Sequence, residues 1–407
     1  MKVAYCLLYH WLSDIAVLGR PLSLIGEAVI ARVRRVYMKI RVNPFFIRNA
    51  FYIPIRFNSL LYWHLSNNIY SFTHKESKFP NGVSFIKNQI ESISARDAFL
   101  CAGYLMSTTS SYSASRNWGF FIEHIESISD KSHILRISDE LKDVDERIRT
   151  LFVEKFAVGL AGWLLWRNYK VIHIADASYF INKTIYNNSS IYHKKGLLYG
   201  KGGKLKPDYF CLTSNNECVI AESKGGIGSP SILKEDFSKG KKQVQNVNPF
   251  GVNLRANANR LVFGMNIRYE SDIVYSGKDT SVLVLDPNEN EDTLNIEIKP
   301  EDIIFNSYGK FFSFCGLNDI TKYLIHQNEP ILSIELDDKN IIKTKNFDIF
   351  PILQFDNFVI GLQIDIARLL FRRDIRSLLD KNLFTDNSME TDTESLFLPN
   401  GIFFGFV

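Results

Sequence analysis

The chain has 407 residues, of which 46% are hydrophobic and 23% charged, and its formal net charge is +4 at pH 7. This composition is typical of a soluble globular protein and argues against disorder, a collagen-like sequence and a membrane bundle. The length exceeds that of one ordinary hydrophobic core, so we expect two or three domains or one core domain with large additions. The small positive charge would help a polyanion to approach but identifies none.

The cysteine pattern bears on the cellular compartment. The five cysteines form no CxxC pair and no zinc-ligand spacing, and they are too few to staple a chain of this length. We therefore expect reduced thiols and a cytoplasmic location. No run of about 18 or more uninterrupted apolar residues occurs, which predicts no transmembrane span and no membrane partner.

Residues 1–140 mix helical periodicity with Ser/Thr/Asn-rich breaks and carry no cluster of reactive side chains. We treat them as a separate N-terminal region and a candidate for recognition of a substrate or a partner. Within it, residues 31–42 are predicted to form a helix with a basic face, which could touch phosphate groups, although a face exposed to water is the favoured interpretation. The basic residues of this helix are Arg32, Arg34, Arg35, Lys39 and Arg41.

A different pattern begins near residue 145. Residues 144–170 read as one long helix, and its stretch 156–166 has no charged residue, so the helix should be buried on most sides. After the strand and loop that follow, Ser214, Asn215 and Asn216 indicate a hairpin turn. The strand-like runs occupy residues 170–175, 206–213, 217–224, 260–267 and 281–287.

The order of these elements predicts the fold class. A helix should begin at Ser229 and Pro230, because serine is a good N-cap and proline suits the first helical position. Helix, strand, hairpin, helix and two strands indicate an α/β fold with a mixed central sheet flanked by helices, over residues 145–295. Residues 300–407 are predicted to form an additional C-terminal α/β region, with a helix over residues 360–382.

The most informative side chains lie on the predicted hairpin. A turn centred on Asn215 pairs position 208 with position 222, so the carboxylates of Asp208 and Glu222 should meet at one end of the hairpin. Because side chains alternate along a strand, Glu222 and Lys224 share a face. Ser223 then points away from that face and leaves its backbone carbonyl free to help bind a metal.

Such an oxygen-rich corner suits Mg²⁺ or Mn²⁺, with Asp208, Glu222 and the Ser223 carbonyl as ligands. It also suits hydrolysis of phosphodiester bonds by metal-activated water. The Lys224 ammonium would orient that water or offset the negative charge that develops in the transition state. The residues therefore predict a metal-dependent phosphodiesterase that needs no covalent intermediate.

The pattern Pro207-Asp208 … Glu222-Ser223-Lys224 resembles the signature of the PD-(D/E)xK nuclease superfamily. The resemblance covers roughly residues 145–290 and includes the helices before and after the hairpin. It implies a restriction-endonuclease-like fold and a metal-dependent enzyme that cleaves DNA.

The resemblance also implies two helper residues. A glutamate on the first helix often holds a metal in this superfamily, and the candidate is Glu154, where a buried carboxylate would be costly unless paired or metal-bound. A polar residue on the second helix often faces the active site, and Gln243 is the nearest match. Gln245 is only two residues away, so the sequence does not decide which of the two glutamines faces the site.

The segment 177–207 contains no Asp or Glu and leads directly into Asp208. Its lysines could pair with phosphates and its tyrosines could stack on unpaired bases, although a solvated loop is an equally good interpretation. Three glycines after the hairpin would let the backbone approach phosphate closely or would form a plain turn: Gly225, Gly226 and Gly228. The predicted nucleic-acid-binding residues are Lys194, Lys195, Lys201, Lys204 and Lys206, with Lys239 and Lys242 on the next helix.

Two further side chains carry weaker hypotheses. Asp176 could be an extra acidic group near the site, and His173 is better explained as a core residue than as a proton carrier. The expected function is a cytoplasmic Mg²⁺- or Mn²⁺-dependent DNA endonuclease of restriction or anti-phage defence, as a homodimer or with an activating partner protein, by analogy with the superfamily. One alternative is a non-cleaving nucleic-acid-binding or assembly module with the same fold. The other is a nuclease acting on RNA, because the predicted metal ligands do not distinguish ribose from deoxyribose.

Overall fold

In the computed structural model of the protein, the main cluster of buried hydrophobic residues in the described segments includes the strands of one mixed sheet and the helices that pack on it. The structure describes residues 39–41, 69–76, 89–107, 124, 127–187, 199–200, 203–204, 206–228, 233–254, 259–273, 279–289, 293–325, 333–335, 341–344, 347–355, 358–379, 390–391 and 395–406.

The described segments contain both helices and strands. The helices are α1 (Ala95–Met106), α2 (Glu146–Asn168), α3 (Ala177–Asn187), α4 (Leu233–Gln245), α5 (Pro300–Phe314), α6 (Asn318–Ile325), α7 (Ile364–Arg372) and α8 (Ile375–Leu378), with a short 3-10 helix at Asp139–Asp143. The strands are β1 (Lys39–Arg41), β2 (Ile69–Glu76), β3 (Gln89–Ser94), β4 (Arg136–Ile137), β5 (Val171–Asp176), β6 (Tyr199–Gly200), β7 (Gly203–Lys204), β8 (Tyr209–Thr213), β9 (Cys218–Ile227), β10 (Val247–Phe250), β11 (Arg260–Tyr269), β12 (Ser281–Leu285), β13 (Leu294–Glu297), β14 (Ser333–Glu335), β15 (Ile342–Lys343), β16 (Asp348–Phe355), β17 (Phe358–Gln363), β18 (Glu390–Thr391), β19 (Ser395–Phe397) and β20 (Ile402–Phe406).

The central sheet has the order β3-β2-β12-β11-β9-β8-β5, and β4 pairs with the end of β11. β9 and β11 run parallel, as do β2 and β12, whereas the other neighbours along this order are antiparallel. The sheet is therefore mixed and is flanked by helices, as the sequence predicted. Of its strands, β8, β11 and the first half of β9 are buried on both faces, which explains their nearly continuous apolar runs.

Helices α2 and α4 cover opposite faces of the sheet beside β9. Asp145 caps α2 by accepting a hydrogen bond from the Arg147 N–H over 2.8 Å, and the helix is buried along most of its length. At Gly225 a Cβ atom would lie 2.5 Å from the Val153 carbonyl oxygen of α2, so only glycine allows this close packing. On the other face, α4 approaches the sheet at Gly240.

Helices α1 and α5 lie on the same side of the sheet as α2. The ring of Tyr104 in α1 stacks on Trp166 of α2, with 5.8 Å between centroids, and its hydroxyl lies 2.8 Å from Ser307 Oγ of α5. α5 in turn packs on β5, where the rings of His173 and Tyr308 meet edge to face. His173 is buried in this contact, which agrees with its interpretation as a core residue.

The C-terminal strands form a second, antiparallel sheet in the order β15-β16-β17-β20-β19-β18. Phe404 of this sheet packs edge to face on Phe311 and Phe314 of α5. One cluster of buried hydrophobic residues therefore runs without a break from β2 to β20.

The N-terminal region shares the central sheet with the predicted core. β2 pairs with β12 in parallel, β3 extends the sheet, and α1 packs on α2. The boundary predicted near residue 140 thus does not separate two hydrophobic cores, because strands from residues 69–94 complete the sheet of the 145–295 segment.

Two helices predicted from periodicity are wrong in part. Lys39–Arg41 form a strand paired in parallel with Ser333–Glu335, a partner far along the chain that outweighs the local helical pattern; Arg32, Arg34 and Arg35 lie outside the described residues. In the predicted helix 360–382, residues up to Gln363 belong to β17, which pairs on both sides with β16 and β20. The helix begins at Ile364 instead.

None of the helices in the described segments is long and apolar enough to cross a membrane.

Candidate active site

The hairpin of β8 and β9 brings Asp208 opposite Glu222, as predicted. Asn216 has a φ of 58°, a left-handed conformation that asparagine tolerates, and it closes the turn. The last pair of the ladder is Tyr209 and Ala221, so the next two opposed positions are Asp208 and Glu222. The Asp208 N–H donates a hydrogen bond to Glu222 Oε2 over 2.8 Å.

The Asp208 carboxylate is held by the second strand. Its Oδ2 atom accepts hydrogen bonds from the Ser223 N–H over 3.0 Å and from the Ser223 hydroxyl over 3.2 Å. The paired register of β8 and β9 ends at Tyr209 and Ala221, and Pro207 has no N–H to donate beyond it. The role of the Ser223 carbonyl as a metal ligand stays a prediction.

Glu222 and Lys224 lie on the same face of β9 and form an ion pair. Lys224 Nζ is 2.5 Å from Glu222 Oε1, and the side chains are 23% and 1% exposed, respectively. Ser223 points to the other side and contacts Asp208 instead. The alternation predicted for the three residues is confirmed.

Burial raises the pKa of both carboxylic acids. For Glu222 the nearby Asp208 charge raises the pKa further, and Lys224 opposes the shift without cancelling it. For Asp208 the hydrogen bonds from Ser223 and the Lys224 charge oppose the effect of burial. Burial alone would lower the pKa of Lys224, but Glu222 and Asp208 outweigh it, and that pKa is raised. The cluster thus favours an added positive charge.

Helix α4 covers the ion pair at Gly240. A Cβ atom at this position would lie 2.8 Å from Val262 Cγ1 of β11, so the absence of a side chain lets the helix lie close to the sheet, where the position is 3.4 Å from Glu222 Cγ and 3.5 Å from Lys224 Cε. One turn later, Gln243 Nε2 donates a hydrogen bond to the Lys206 carbonyl over 2.6 Å. Gln245 instead donates to the Asn288 carbonyl. Of the two glutamines, Gln243 therefore faces the site.

Glu154 lies on α2 beside Val153, which contacts Gly225, but its side chain is exposed to solvent. The premise that this carboxylate is buried and needs a partner is wrong, because it is on the outer side of the helix. Across the described segments, no three His, Cys, Asp or Glu side chains are grouped closely enough to hold a metal ion. The structure thus brings Asp208 and Glu222 together without Glu154.

The donor set fits a hard divalent cation bound by two carboxylates and a carbonyl. Asp208 Oδ1 accepts no hydrogen bond from any described residue. Both oxygens of Glu222 already accept one hydrogen bond each and retain a second lone pair. Two acidic side chains face one ammonium here, and a divalent cation would neutralise the excess charge.

The predicted nucleic-acid-binding lysines differ in their surroundings. Lys194, Lys195 and Lys201 lie outside the described residues, and Lys204 lies in β7. Lys206 Nζ donates a hydrogen bond to Asn182 Oδ1 over 2.6 Å. Lys239 is paired with Glu235 and Asp236 of its own helix, whereas Lys242 is exposed.

One residue near the site was not predicted. Lys310 of α5 is 1% exposed and forms an ion pair with Asp176 at the end of β5. The signal in the sequence was a single lysine within a long apolar helix, where a charge must have a partner. Asp176 is thus held by this lysine. Its charge raises the pKa of Asp208, so it lies near the site as predicted, but within the described residues it does not form a metal-holding group with the two acidic residues of the hairpin.

Comparisons with protein-family models, with curated proteins and with solved structures found no match.

Proposed function

We propose that the protein is a metal-dependent nuclease that hydrolyses phosphodiester bonds of DNA at Asp208, Glu222 and Lys224. The observation that carries the proposal is the joint placement of two carboxylic acids of raised pKa and one ammonium at the end of a hairpin. The two carboxylates can bind a divalent metal ion, and the ammonium of Lys224 can bind a phosphate group.

The side chains have separate roles in this proposal. Asp208, Glu222 and the Ser223 carbonyl would hold Mg²⁺ or Mn²⁺, which supplies charge neutralisation and a more acidic water. Lys224 lies 2.5 Å from Glu222 and is less buried, so its ammonium can face the scissile phosphate and offset the charge that develops there. Gln243 holds the backbone at Lys206, directly before Pro207 and Asp208.

The proposed substrate class rests on charge. Lys206 precedes the site in the chain, and Lys242 is exposed on the helix that covers it. Such lysines contact phosphates without reading sequence, so they support a nucleic-acid substrate and leave DNA and RNA to be distinguished by experiment. We further propose a cytoplasmic enzyme of restriction or anti-phage defence that acts as a homodimer or with an activating partner.

A non-cleaving binding module is the second candidate. It is favoured by the lack, within the described part of the chain, of a third acidic side chain close enough to hold a metal ion together with Asp208 and Glu222. It is disfavoured by Lys224, since a binding surface does not need a lysine that is paired with a buried glutamate.

The test is incubation of the purified protein with plasmid, linear and single-stranded DNA and with RNA, in Mg²⁺, Mn²⁺ or EDTA, beside a Lys224→Ala variant. Cleavage that needs metal and disappears in the variant supports the nuclease and identifies its substrate. Equal DNA binding by both proteins without any cleavage supports the binding module.

A further inference from the structure

We propose that Lys310 is a positioning residue that fixes the backbone of Asp208 from helix α5 of the C-terminal region, an inference that rests on the proposed function. Lys310 is nearly fully buried, and its ammonium forms an ion pair with Asp176 Oδ1. The same ammonium lies over the ring of Tyr209, 5.2 Å from its centroid. It thus contacts the residue that directly follows Asp208.

A second connection runs through the end of β5. The N–H of Asp176 donates a hydrogen bond to Asn306 Oδ1 over 3.0 Å, so α5 holds both the backbone and the carboxylate of Asp176. The next residue, Ala177, donates its N–H to the Asp208 carbonyl over 3.0 Å. α5 therefore supports Asp208 in two ways: through Tyr209, the next residue in the chain, and through Asp176 and Ala177 at the end of the neighbouring strand β5.

The direction in which removal of Lys310 changes the metal affinity distinguishes a positioning role from a purely electrostatic one. Removal of a nearby positive charge would by itself strengthen the binding of a cation. Loss of a support that orients a ligand weakens binding, typically by about 10-fold or more. If Lys310 orients Asp208, its removal should weaken metal binding even though the site becomes more negative.

The experiment measures Mn²⁺ binding to the full chain by electron paramagnetic resonance, at a temperature where each variant is folded. Lys310→Met should raise the Kd for Mn²⁺ by about 10-fold or more. The matched control is Lys183→Met, because Lys183 also forms an ion pair with an aspartate of α5, Asp302. The control should bind Mn²⁺ as the wild type does. An unchanged or lower Kd in Lys310→Met would overturn the proposal.

Two further proteins keep the test decisive. If Lys310→Met does not fold, the double variant Lys310→Met/Asp176→Asn replaces it. The two changes together remove both members of the ion pair and leave no buried charge without a partner. A Kd for Mn²⁺ equal to that of the wild type in the double variant would overturn the proposal. Asp208→Asn identifies the site that is measured. If the wild type shows no Mn²⁺ binding that depends on Asp208, the proposed function fails and this inference fails with it, whereas normal binding in the Lys310 variants refutes the positioning role alone.

Discussion

The Asp208 N–H donates a hydrogen bond to Glu222 Oε2 over 2.8 Å, and the Ser223 N–H donates one to Asp208 Oδ2 over 3.0 Å. Each strand of the hairpin thus binds the carboxylate carried by the other. The backbone ladder of the hairpin ends at Tyr209 and Ala221, so these two hydrogen bonds lie just beyond its last pair. Pro207 has no N–H and cannot extend the ladder further.

The stability of the metal-free protein should depend on the ionisation of Glu222. The folded state raises the pKa of Glu222 above its ordinary value of 4.5, so the folded state binds the proton more tightly than the unfolded chain. The stability from Glu222 is thus complete below pH 4.5 and is lost as the pH rises through the folded pKa. The pKa of Lys224 is raised from 10.5, so this side chain is protonated in both the folded and the unfolded state in this pH range and adds no pH dependence to the stability.

Urea unfolding in EDTA tests this expectation with Glu222→Gln as the reference. Between about pH 5 and about pH 8, the free energy of unfolding should fall more in the wild type than in the variant. Added Mg²⁺ should stabilise the wild type more at the higher pH, because the ionised carboxylate binds the cation. Parallel pH curves for the two proteins would contradict the prediction.

Gln243 should matter for cleavage more than Gln245. Both lie on α4 and both donate to a backbone carbonyl, but only Gln243 reaches the residue before Pro207. Gln243→Ala should reduce the cleavage rate by roughly 10-fold, whereas Gln245→Ala should leave it near the wild-type value. Steady-state cleavage of the preferred substrate by the two variants measures the difference, and equal rates would count against the assigned role.

Gly225 should be required for the packing of α2 on the sheet. In Gly225→Ala the new methyl group would meet the Val153 backbone, so we expect the free energy of unfolding to fall by about 1–3 kcal/mol. Gly226→Ala is the control, because its methyl group would meet only the flexible end of Leu233. Chemical denaturation of both variants tests the prediction, which fails if they lose the same stability.

Lys242 and Lys239 should contribute unequally to DNA binding. Lys239 is already neutralised by Glu235 and Asp236, whereas Lys242 has no acidic partner in the described part of the protein. Lys242→Gln should weaken binding and reduce the slope of log K against log salt by about 1, and Lys239→Gln should change it less. Fluorescence anisotropy at several salt concentrations measures both slopes.

The hairpin and the placement of its side chains could be predicted because they depend on local rules. Strand alternation and a turn at Asn215 and Asn216 are enough to place Asp208 opposite Glu222. The same rules put Glu222 and Lys224 on one face. The superfamily suggested by these residues remains a prediction.

The other parts depend on contacts between distant segments. The pairing of β2 with β12 and of β1 with β14 joins residues far apart in the sequence, and no local pattern encodes it. The exposure of Glu154 and the choice between Gln243 and Gln245 depend on how each helix rotates against the sheet. Lys310 reaches Asp176 only because α5 packs on β5.

The central claim is that Glu222 acts in metal-dependent phosphodiester hydrolysis, and single-turnover cleavage with saturating Mg²⁺ tests it most directly. The comparison is between the wild type, Glu222→Gln and Glu217→Gln, a matched change at the other end of the same hairpin. Glu222→Gln should lower the rate constant by about 100-fold or more while Glu217→Gln leaves it unchanged. Cleavage by Glu222→Gln at the wild-type rate would contradict the account.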